Sequence, residues 1–331
     1  MRVLVTGGAG YIGSHMVLSL LDQNHEPVVI DNLSNGSRSL VPKNVDLHKV
    51  DVRDDIRVEG ILKKYNFDAV VHFAADIVVP ESIKSPDKYI ENNTFGTFSL
   101  LKNCIKLGVN KFIFSSTAAV YGSQDDVKLL SEEDSKQPDN PYGVSKLLSE
   151  IILKEFSKAY DLDYVCLRYF NVAGADSHLR SGQTGNNSTH LIKIASEVAV
   201  GKRSKIFIYG NDYPTEDGTG VRDYIHVSDL VDAHVSSLKY LSDHDGGITL
   251  NCGYGKGYSV IDVLKVFEEI KGKPLEYEFG NRREGDSASL VANNNLIKEK
   301  LNWKPKHNDL RKIIEDALSW EKKLINHEKK L

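Results

Sequence analysis

Residues 2–13 read RVLVTGGAGYIG, a short apolar run that leads directly into glycines spaced as GxxGxxG. The run predicts a buried strand, and the stretch from Tyr11 to Asn24 that follows has the length of a crossover helix. Glycines allow a tight turn between the two elements and let a pyrophosphate approach the backbone. The N–H groups that open the helix, at the positive end of its dipole, would stabilise the charge of that group. These residues predict the first β–α unit of a dinucleotide-binding fold.

Short β-branched runs alternate with helical patterns throughout the first half of the chain. They lie at residues 28–30, 45–50, 69–71, 112–114 and 164–167. Such alternation predicts a parallel sheet, and runs this apolar are expected to be covered by helices on both faces. The predicted fold class is α/β, a doubly wound parallel sheet of the Rossmann type with a smaller C-terminal α/β substrate lobe.

The second half has a looser pattern, with Gly-, Asn- and Thr-rich stretches at residues 181–187 and 217–220. Loops on a rigid scaffold commonly carry specificity, so this half is predicted to bind the substrate. At 331 residues, the chain exceeds the usual size of one domain, about 100–200 residues. We expect a dinucleotide-binding domain over residues 1–170 and a substrate domain over 171–331, with an interleaved boundary because no long linker separates them.

Composition excludes several classes of protein. The 42 basic and 46 acidic residues give a net charge of −4, without the basic excess typical of nucleic-acid binding. No run approaches the roughly 18 apolar residues of a membrane span, and the opening residues are not typical of a targeting leader. Cys104, Cys166 and Cys252 lack CxxC spacing, so neither a metal site nor a disulfide framework is expected. Reduced thiols favour a cytoplasmic location.

The second predicted strand, residues 28–30, ends in Asp31, about 20 residues beyond the glycine turn. A carboxylate at this position accepts hydrogen bonds from both hydroxyls of a ribose and repels a 2′-phosphate. We therefore expect NAD rather than NADP as the cofactor. Arg38 favours the opposite preference, because a guanidinium suits a phosphate.

A pair of residues near the middle of the chain suits proton transfer. Tyr142 and Lys146 are spaced i and i+4 after the turn at residues 138–141, so both lie on one face of a helix. A phenol with an ordinary pKa of about 10 is a poor base at neutral pH. An adjacent ammonium and a cationic nicotinamide would stabilise the phenolate and lower that pKa.

The strand at 111–114 continues into Ser115, Ser116 and Thr117 at the ligand-binding edge of the sheet, where a hydroxyl can share the substrate proton.

Together these segments resemble the extended short-chain dehydrogenase/reductase family, and in particular its NAD-dependent nucleotide-sugar epimerases. The resemblance covers nearly the whole chain. Its other markers are Asp31-Asn32-Leu33, His72-Phe73-Ala74-Ala75, Arg168-Tyr169-Phe170-Asn171, residues 218–227 and Arg282-Arg283-Glu284-Gly285-Asp286. The last two segments are the most specific to the epimerases.

The resemblance implies reversible inversion of C4 in UDP-galactose and UDP-glucose, by transient oxidation to a 4-keto sugar with tightly bound NAD. Tyr142 would be the base, Lys146 would hold the nicotinamide ribose and tune the tyrosine, and Thr117 would hydrogen-bond the sugar O4. Because the nucleotide would be bound far from C4, the 4-keto sugar could rotate before it is reduced on its opposite face. Relatives also suggest a homodimer formed through helices near residues 89–107 and 141–160.

The resemblance further implies two sets of binding residues. Together with the glycine turn, the residues that would line NAD are Gly7, Gly10, Tyr11, Ile12, Gly13, Asp31, Asn32, Asn35, Asp51, Val52, Phe73, Ala74, Ala75, Asn93, Ser115, Tyr142, Lys146 and Phe170. Those that would hold the UDP-sugar are Thr117, Asn171, His190, Leu191, Tyr209, Arg222, Arg283 and Asp286. Arginine forks suit a pyrophosphate, although by residue type alone they are more often surface ion pairs.

Two positions depart from the family pattern. Ile77 stands where many of these epimerases have Lys, which removes a positive charge near the cofactor and the sugar. Leu290 stands where a small residue admits N-acetylhexosamines and Tyr excludes them. Leu is intermediate in size, so UDP-glucose and UDP-galactose are favoured and N-acetyl sugars stay open.

Other functions remain as alternatives. A 4-epimerase of UDP-N-acetylhexosamines, UDP-pentoses or UDP-uronates would carry the same motifs. A 4,6-dehydratase is disfavoured, because Ala118-Ala119 follows Thr117 where dehydratases typically have an Asp-Glu pair. A non-catalytic NAD-sensing protein is disfavoured by the intact catalytic residues. His72 and His226 are expected to be packed core histidines, since neither has metal-ligand partners at fixed spacing.

Overall fold

The computed structural model describes residues 1–123, 128–185, 188–283 and 286–328. Its strands are β1 Arg2–Thr6, β2 Glu26–Asp31, β3 Leu47–Lys49, β4 Ala69–His72, β5 Lys111–Thr117, β6 Leu129–Leu130, β7 Asp163–Tyr169, β8 Asn171–Ala173, β9 Ile206–Tyr209, β10 Val221–His226, β11 Gly247–Cys252, β12 Gly257–Ser259, β13 Tyr277–Gly280 and β14 Ser289–Ala292. Its helices are α1 Tyr11–Asp22, α2 Asp55–Lys64, α3 Val79–Lys84, α4 Pro86–Tyr89, α5 Gly96–Lys106, α6 Pro141–Ala159, α7 Leu191–Ala199, α8 Val227–Asp243, α9 Val260–Lys271, α10 Asn295–Leu301 and α11 Leu310–Glu328. Shorter helical segments are 3₁₀ turns at Arg38–Leu40 and Ala118–Tyr121 and a π-helix at Ile90–Phe95. Among the helices so described, none is both long and apolar enough to cross a membrane.

Seven of the strands form a sheet in the order β11-β7-β5-β4-β1-β2-β3. Every pairing within it is parallel, which confirms the predicted doubly wound α/β fold. The run predicted at residues 45–50 is a strand only at Leu47–Lys49. The difference arises because β3 lies at the edge of the sheet, where strands are commonly short.

The strands divide their side chains between two apolar cores. Val3 and Val5 of β1 belong to one cluster, whereas Leu4 between them belongs to the other. Successive side chains of a strand point to opposite faces, so a sheet covered on both sides produces this division. Helices α1 and α8 supply residues to the first cluster, and α2 and α5 supply residues to the second.

The two halves of the chain exchange strands. β11, from the second half, extends the large sheet by pairing with β7. β6, from the first half, pairs with β14 in a second sheet of order β12-β10-β14-β6, in which β8 pairs with β10. β9 and β13 form a separate two-stranded sheet. This exchange supports an interleaved boundary, and the division at residue 170 stays a prediction.

The helix predicted at residues 89–107 is interrupted in its first half. α4 leads into the π-helix Ile90–Phe95, which continues into α5. The wider turn buries Asn93 and Thr94 against α6. There the Asn93 amide donates to the hydroxyl of Ser145 and the Thr94 hydroxyl donates to the carbonyl of the same residue, both at 3.0 Å. A local irregularity of the kind often found at functional sites thereby fastens the start of α6 to its neighbour.

Candidate active site

The glycine turn between β1 and α1 forms part of the wall of a large cavity. Gly7 has a φ of +69°, in the left-handed region that favours glycine. A Cβ at Gly7 would lie 2.7 Å from the backbone nitrogen of Ala74, so only glycine fits beside the segment that follows β4. Gly10 is the N-cap of α1 and supplies no side-chain acceptor, so an anion can take the place of a cap. The residues present therefore fit the pyrophosphate of a dinucleotide.

Asp31 ends β2 beside this turn. Its Oδ2 accepts from the N–H of Ala9 at 2.9 Å, and its Oδ1 accepts from the N–H of Leu33 at 2.8 Å. Burial raises the pKa of this carboxyl, while the two N–H donors oppose the rise. The main chain thus fixes the side chain at the cavity wall, where it could accept from a ribose. The Arg38 guanidinium donates to the carbonyl of Val41 at 2.8 Å, which uses part of its hydrogen-bonding capacity within its own loop.

The cavity has a volume of about 1390 Å³ and continues from the glycine turn into the second half of the chain. The predicted cofactor contacts in its wall are Gly7, Gly10, Tyr11, Ile12, Gly13, Asp31, Asn32, Asn35, Val52, Phe73, Ala74, Ala75, Ser115, Tyr142, Lys146 and Phe170. The predicted substrate contacts in its wall are Thr117, Asn171, His190, Leu191, Arg222, Arg283 and Asp286. One continuous space therefore brings together most residues of both sets.

Asp51 and Asn93 are predicted cofactor contacts that are not among the described residues lining the cavity. Asp51 pairs with Arg53 at 2.8 Å and accepts from Asn32 at 3.1 Å, and the hydrogen bonds from Arg53 hold the pKa of Asp51 well below its usual range. The buried Asn93 side chain accepts from the N–H of Asp76 at 2.8 Å and donates to its carbonyl at 3.0 Å. Each side chain supports a residue of the wall, and direct contact with a cofactor stays a prediction for both.

The predicted catalytic residues meet at the carboxyl end of β5. Asn140 caps α6 by accepting from a backbone N–H of the first turn at 2.9 Å, which places Tyr142 within that turn. The Tyr142 hydroxyl shares a hydrogen bond with the side chain of Thr117, the last residue of β5. Lys146 follows about one turn later on the same helix. Its ammonium donates to the carbonyl of Ser115 at 2.8 Å.

Burial dominates the acid–base behaviour of this centre. It raises the pKa of Tyr142, and the hydrogen bond with Thr117 opposes the rise. Lys146 is 3% exposed, and burial lowers its pKa to about 8. The expected lowering of the Tyr142 pKa is therefore not a property of the chain by itself, because desolvation of the phenol outweighs the stabilisation of its charge. Tyr142 is a protonated phenol at neutral pH.

Tyr169 is a further side chain at this centre, to which the sequence alone assigns no role. It ends β7 in register with Thr117 on β5, and it lines the cavity. Its hydroxyl hydrogen-bonds the hydroxyl of Ser115. Because neighbouring parallel strands present their carboxyl ends to the same ligand, the pairing of β5 with β7 is the signal that identifies it.

A buried ion pair lies next to the predicted catalytic residues. Arg168 of β7 donates to Glu150 of α6 at 2.6 Å, and Ser116 of β5 donates to the same carboxylate. Arg168 also donates to the hydroxyl of Tyr121 at 3.0 Å. A buried pair is favourable only when its remaining hydrogen-bonding groups are satisfied, as these additional contacts achieve. The network fixes α6, which carries Tyr142, relative to β7 and to β5, which carries Thr117.

Two arginines and an aspartate gather in the wall contributed by the second half. Asp286 Oδ2 accepts from Arg283 Nε at 2.8 Å, and Asp286 Oδ1 lies 3.7 Å from Arg222 Nη2. The Arg283 guanidinium lies 4.7 Å from the centroid of the Tyr209 ring, and Tyr209 itself is not among the described residues lining the cavity. Residues 284–285 of the same family marker lie outside the described residues. The pairing is that of an ion-pair cluster, but its position at the cavity offers both guanidinium forks to a diphosphate.

His190 and Leu191 stand in the cavity wall at the start of α7. The amide of Gln183 donates to His190 Nδ1 at 3.1 Å. Burial lowers the pKa of the imidazole, so the ring is neutral at physiological pH. A neutral ring whose Nδ1 accepts carries its proton on Nε2. His190 therefore supplies an uncharged N–H donor.

His72 and His226 are packed side chains, as expected. His72 lies between the hydroxyls of Thr6, at 2.6 Å, and Thr97, at 3.0 Å, and burial lowers its pKa to about 3. His226 hydrogen-bonds Asp316 at 3.1 Å. Within the described ranges of the chain, no group of three His, Cys, Asp or Glu residues could hold a metal ion.

The positions that depart from the family pattern both lie in the cavity wall. Ile77 is 52% exposed and gives the wall an apolar surface where a lysine would give it a charge. Leu290 is partly buried and packs against the apolar cluster that contains Phe170. Ala118 and Ala119 also line the cavity after Thr117, so the two positions that would carry the acid and base of a dehydratase have only methyl groups.

The chain is similar to known proteins over nearly its whole length. The profile of the NAD dependent epimerase/dehydratase family matches residues 3–253. A UDP-glucose 4-epimerase of Azospirillum brasilense is 47% identical over 323 residues, which cover 98% of this chain and 92% of that protein. A crystal structure of UDP-glucose-4-epimerase from Stenotrophomonas maltophila, with bound NAD and formylated UDP-arabinopyranose, has a TM-score of 0.95 and 38% identity over 99% of each chain. The UDP-Glc/GlcNAc 4-epimerase of Campylobacter jejuni has a TM-score of 0.84 and 43% identity over 97% of this chain and 99% of that one.

Proposed function

The chain belongs to the NAD dependent epimerase/dehydratase family, and we propose that it catalyses the reversible inversion of C4 in UDP-galactose and UDP-glucose with bound NAD. One observation carries this function. A single cavity joins the glycine turn, the hydrogen-bonded Tyr142 and Thr117, and the cluster of Arg222, Arg283 and Asp286. A redox-neutral epimerisation of a nucleotide sugar needs a cofactor site, a proton-transfer pair and a diphosphate site in one space. The UDP-glucose 4-epimerases that resemble the chain support the same reaction.

The residues around the glycine turn would hold NAD. Gly7 and Gly10 leave room for the pyrophosphate at the start of α1, and Asp31 would accept from the hydroxyls of the adenosine ribose. Lys146 would hold the ribose of the nicotinamide. When bound, NAD supplies the reversible oxidation of the C4 alcohol to a ketone.

Tyr142 moves the proton of the sugar O4. It must be ionised to accept that proton and protonated to return it. Burial keeps the phenol protonated in the chain alone, so its ionisation during turnover requires nearby positive charge, of which the Lys146 ammonium supplies one. Thr117 Oγ1 accepts from the N–H of Ala119 at 3.1 Å, which leaves its own proton for the sugar oxygen or the phenolate.

Arg222 and Arg283 bind the diphosphate, which lies at a distance from C4. Their guanidinium forks can each bind two phosphate oxygens, and Asp286 then becomes free to accept from a ribose or a base. The binding energy of these contacts does not fix the orientation of the pyranose ring. The 4-keto sugar would therefore be free to rotate while the nucleotide stays bound, and reduction on its opposite face would invert C4.

Leu290 favours unsubstituted hexoses without closing the site to larger ones. It is shorter than a tyrosine and lies in the wall beside the cluster of Phe170. A relative that is 43% identical to the chain, from Campylobacter jejuni, is a UDP-Glc/GlcNAc 4-epimerase. We therefore propose UDP-galactose and UDP-glucose as the main substrate pair, with UDP-N-acetylhexosamines as a second pair and UDP-pentoses or UDP-uronates as alternatives.

Incubation of the purified protein with UDP-galactose tests this proposal. UDP-glucose should form without added cofactor, and denaturation of the protein should release NAD. A panel of UDP-hexoses, UDP-N-acetylhexosamines and UDP-pentoses would then rank the substrates. A non-catalytic NAD-sensing protein would release NAD and leave every sugar unchanged, and that result would overturn the proposed function.

We also propose a homodimer formed through one face of α5, α6 and the π-helix. Its large apolar side chains are each more than a third exposed: Phe95, Phe98, Leu148, Ile151 and Tyr160. The ring of Phe156 joins Phe98, at 5.8 Å, to Tyr160, at 5.4 Å, so these three rings form a continuous part of the surface. Contiguous exposed apolar surface commonly marks an interface, and two copies of this helix pair would bury it as a four-helix bundle. Light scattering should give twice 36.9 kDa for the wild type and 36.9 kDa for Phe98→Glu. A monomeric wild type would contradict the dimer.

We further propose a cytoplasmic location. Cys104, Cys166 and Cys252 are free and buried in the described structure, and burial raises the pKa of Cys104 to about 12. Three unpaired thiols suit a reducing compartment. Fractionation of cells that express the protein should recover it with the cytoplasmic proteins, and recovery from the medium would contradict this location.

A further inference from the structure

The last helix of the chain reaches the second half of the cavity through one tryptophan. Trp320 of α11 is buried and lines the cavity. Its Nε1 donates to the carbonyl of Gln183 at 3.1 Å. The indole packs so closely on Gly182 that a Cβ there would lie 2.6 Å from its Cδ1. Gly182 and Gln183, which precede α7 in sequence, are thus held against α11.

Gln183 connects this anchored segment to His190, a predicted nucleotide contact, by a side-chain hydrogen bond. The Gln183 amide donates to Nδ1 of His190 and to Oγ of Ser188, both at 3.1 Å. The Ser188 hydroxyl in turn accepts from the backbone N–H of His190 at 3.2 Å. The imidazole is therefore held at Nδ1, and Nε2–H is left as the donor for a ligand.

A second contact from α11 holds the chain just after His190. Glu321 pairs with Lys193 of α7, and Lys193 Nζ also lies 3.4 Å from Glu197. All three side chains are buried, where an ion pair is favourable only with good geometry. Trp320 and Glu321 thus anchor the chain before and after His190.

We propose that Trp320 is a positioning residue for nucleotide binding, acting through Gln183 on His190. The inference rests on the proposed function, because it requires the UDP moiety to lie at His190. A donor that is already fixed loses less conformational entropy when a ligand binds, so Trp320 should act on affinity. It is not among the groups that move the O4 proton, so kcat should change little.

The two tryptophans of the chain provide a matched pair of variants. Trp303 is also buried, and its Nε1 donates to the carbonyl of Asp229 at 3.0 Å. Trp320→Phe and Trp303→Phe each remove one indole hydrogen bond to a backbone carbonyl. In the NAD-containing enzyme, Trp320→Phe should weaken UDP binding about fivefold by calorimetry and raise the KM for UDP-galactose to the same extent. Its kcat should stay within about twofold. Trp303→Phe should lower the Tm similarly and leave UDP affinity within about twofold of the wild type.

Two further variants separate positioning from general stability. If Trp320 acts through His190, the double variant Trp320→Phe/His190→Ala should bind UDP no more weakly than His190→Ala. Gln183→Ala leaves the indole in place and should reproduce the weaker binding, so it decides the question if Trp320→Phe does not fold.

Three results would overturn the inference while the proposed function stands. The first is a wild-type UDP affinity in Trp320→Phe or Gln183→Ala. The second is an equal loss of UDP affinity in Trp320→Phe and Trp303→Phe. The third is a double variant, Trp320→Phe/His190→Ala, whose loss of UDP affinity is the product of the losses in the two single variants. A wild-type protein that converts no UDP-galactose and binds no UDP would overturn both proposals.

Discussion

The two ends of the cavity hold their functional side chains in different ways. At the cofactor end the main chain holds them, since Asp31 accepts from two backbone N–H groups and Lys146 donates to a backbone carbonyl. At the nucleotide end, around Arg222, Arg283 and Asp286, the ion pairs run between side chains, since Asp286 pairs with both arginines, although Arg222 also donates to the carbonyl of Val221 at 2.8 Å. Ser115 belongs to the seven-stranded sheet, and Ala9 and Leu33 lie in the segments that follow its strands β1 and β2, so the fold itself fixes these backbone partners. Side-chain pairs can exchange partners while the fold stays intact.

This difference separates the chemical step from nucleotide binding. Proton transfer requires groups held to within about 0.5 Å, which the edge of a sheet can provide. The arginines instead need to release a carboxylate and accept a diphosphate, which a mutual side-chain cluster can do. We therefore expect substitutions of the proton-transfer residues at the cofactor end to lower kcat. Substitutions at the nucleotide end should raise KM.

The largest effect should come from Tyr142→Phe. Loss of the phenol oxygen removes the group that moves the O4 proton, so kcat should fall by at least about 10³-fold. The ring and its edge contact with Tyr89, at 6.4 Å, are retained, so the Tm and the bound NAD should be unchanged. Tyr240→Phe, on a helix away from the cavity, is the matched control and should keep full activity. Undiminished turnover in Tyr142→Phe would remove this residue from its role.

Arg283→Ala tests the nucleotide end and should give the second largest effect. Loss of charged hydrogen bonds to a diphosphate should raise the KM for UDP-galactose by about 10- to 100-fold, with kcat changed by less than about threefold. Its neighbour Arg282 pairs with Asp212 at 2.6 Å outside the described cavity wall, which makes Arg282→Ala the matched control. A fall in kcat without a change in KM would show that the two ends are not separated as described.

Asp31→Asn should have a smaller effect, on the choice of cofactor. The amide loses the charge that repels a 2′-phosphate and keeps only one of the two acceptors that bind the N–H groups of Ala9 and Leu33, so the preference for NAD over NADP should fall about tenfold. Reconstitution of cofactor-free protein with each dinucleotide would measure the ratio. An unchanged ratio would mean that the buried carboxylate does not set the preference.

The smallest effect concerns the dependence of stability on pH. Burial lowers the pKa of Lys146 from an ordinary 10.5 to about 8. Between these values the unfolded chain binds a proton that the folded chain has released, so this residue's contribution to the free energy of unfolding should rise with pH across that window. Urea unfolding of NAD-free wild type and Lys146→Met at about pH 7.5 and 9.5 should show a difference that shifts in favour of the wild type at the higher pH. A difference independent of pH would contradict the lowered pKa.

The parts of the molecule that follow from sequence are those fixed by local signals. The glycine turn and Asp31 belong to one β–α–β unit, and Tyr142 and Lys146 are separated by one helical turn. Their gathering at one edge follows from the parallel sheet, in which all carboxyl ends lie together. The same rule could have identified Tyr169 once β5 and β7 were known to be neighbours.

The remainder depends on packing between distant parts of the chain. The side chain of Asn93 turns to the backbone of Asp76 from within a π-helix, which no local pattern indicates. Trp320 contacts Gln183 across 137 positions of sequence. The raised pKa of Tyr142 is a consequence of burial, and the depth of burial is known only when the surrounding elements are in place.

The fate of a deuterium label at C4 distinguishes oxidation of that carbon from its deprotonation. In the proposed mechanism C4 itself is oxidised and then reduced by the bound cofactor, while Tyr142 transfers only the proton on O4. UDP-galactose that carries deuterium at C4 should therefore give UDP-glucose that keeps the deuterium at C4 when the reaction runs in ordinary water, as measured by NMR and mass spectrometry. Replacement of the deuterium by hydrogen from the solvent would contradict the account, because C4 would then be deprotonated rather than oxidised.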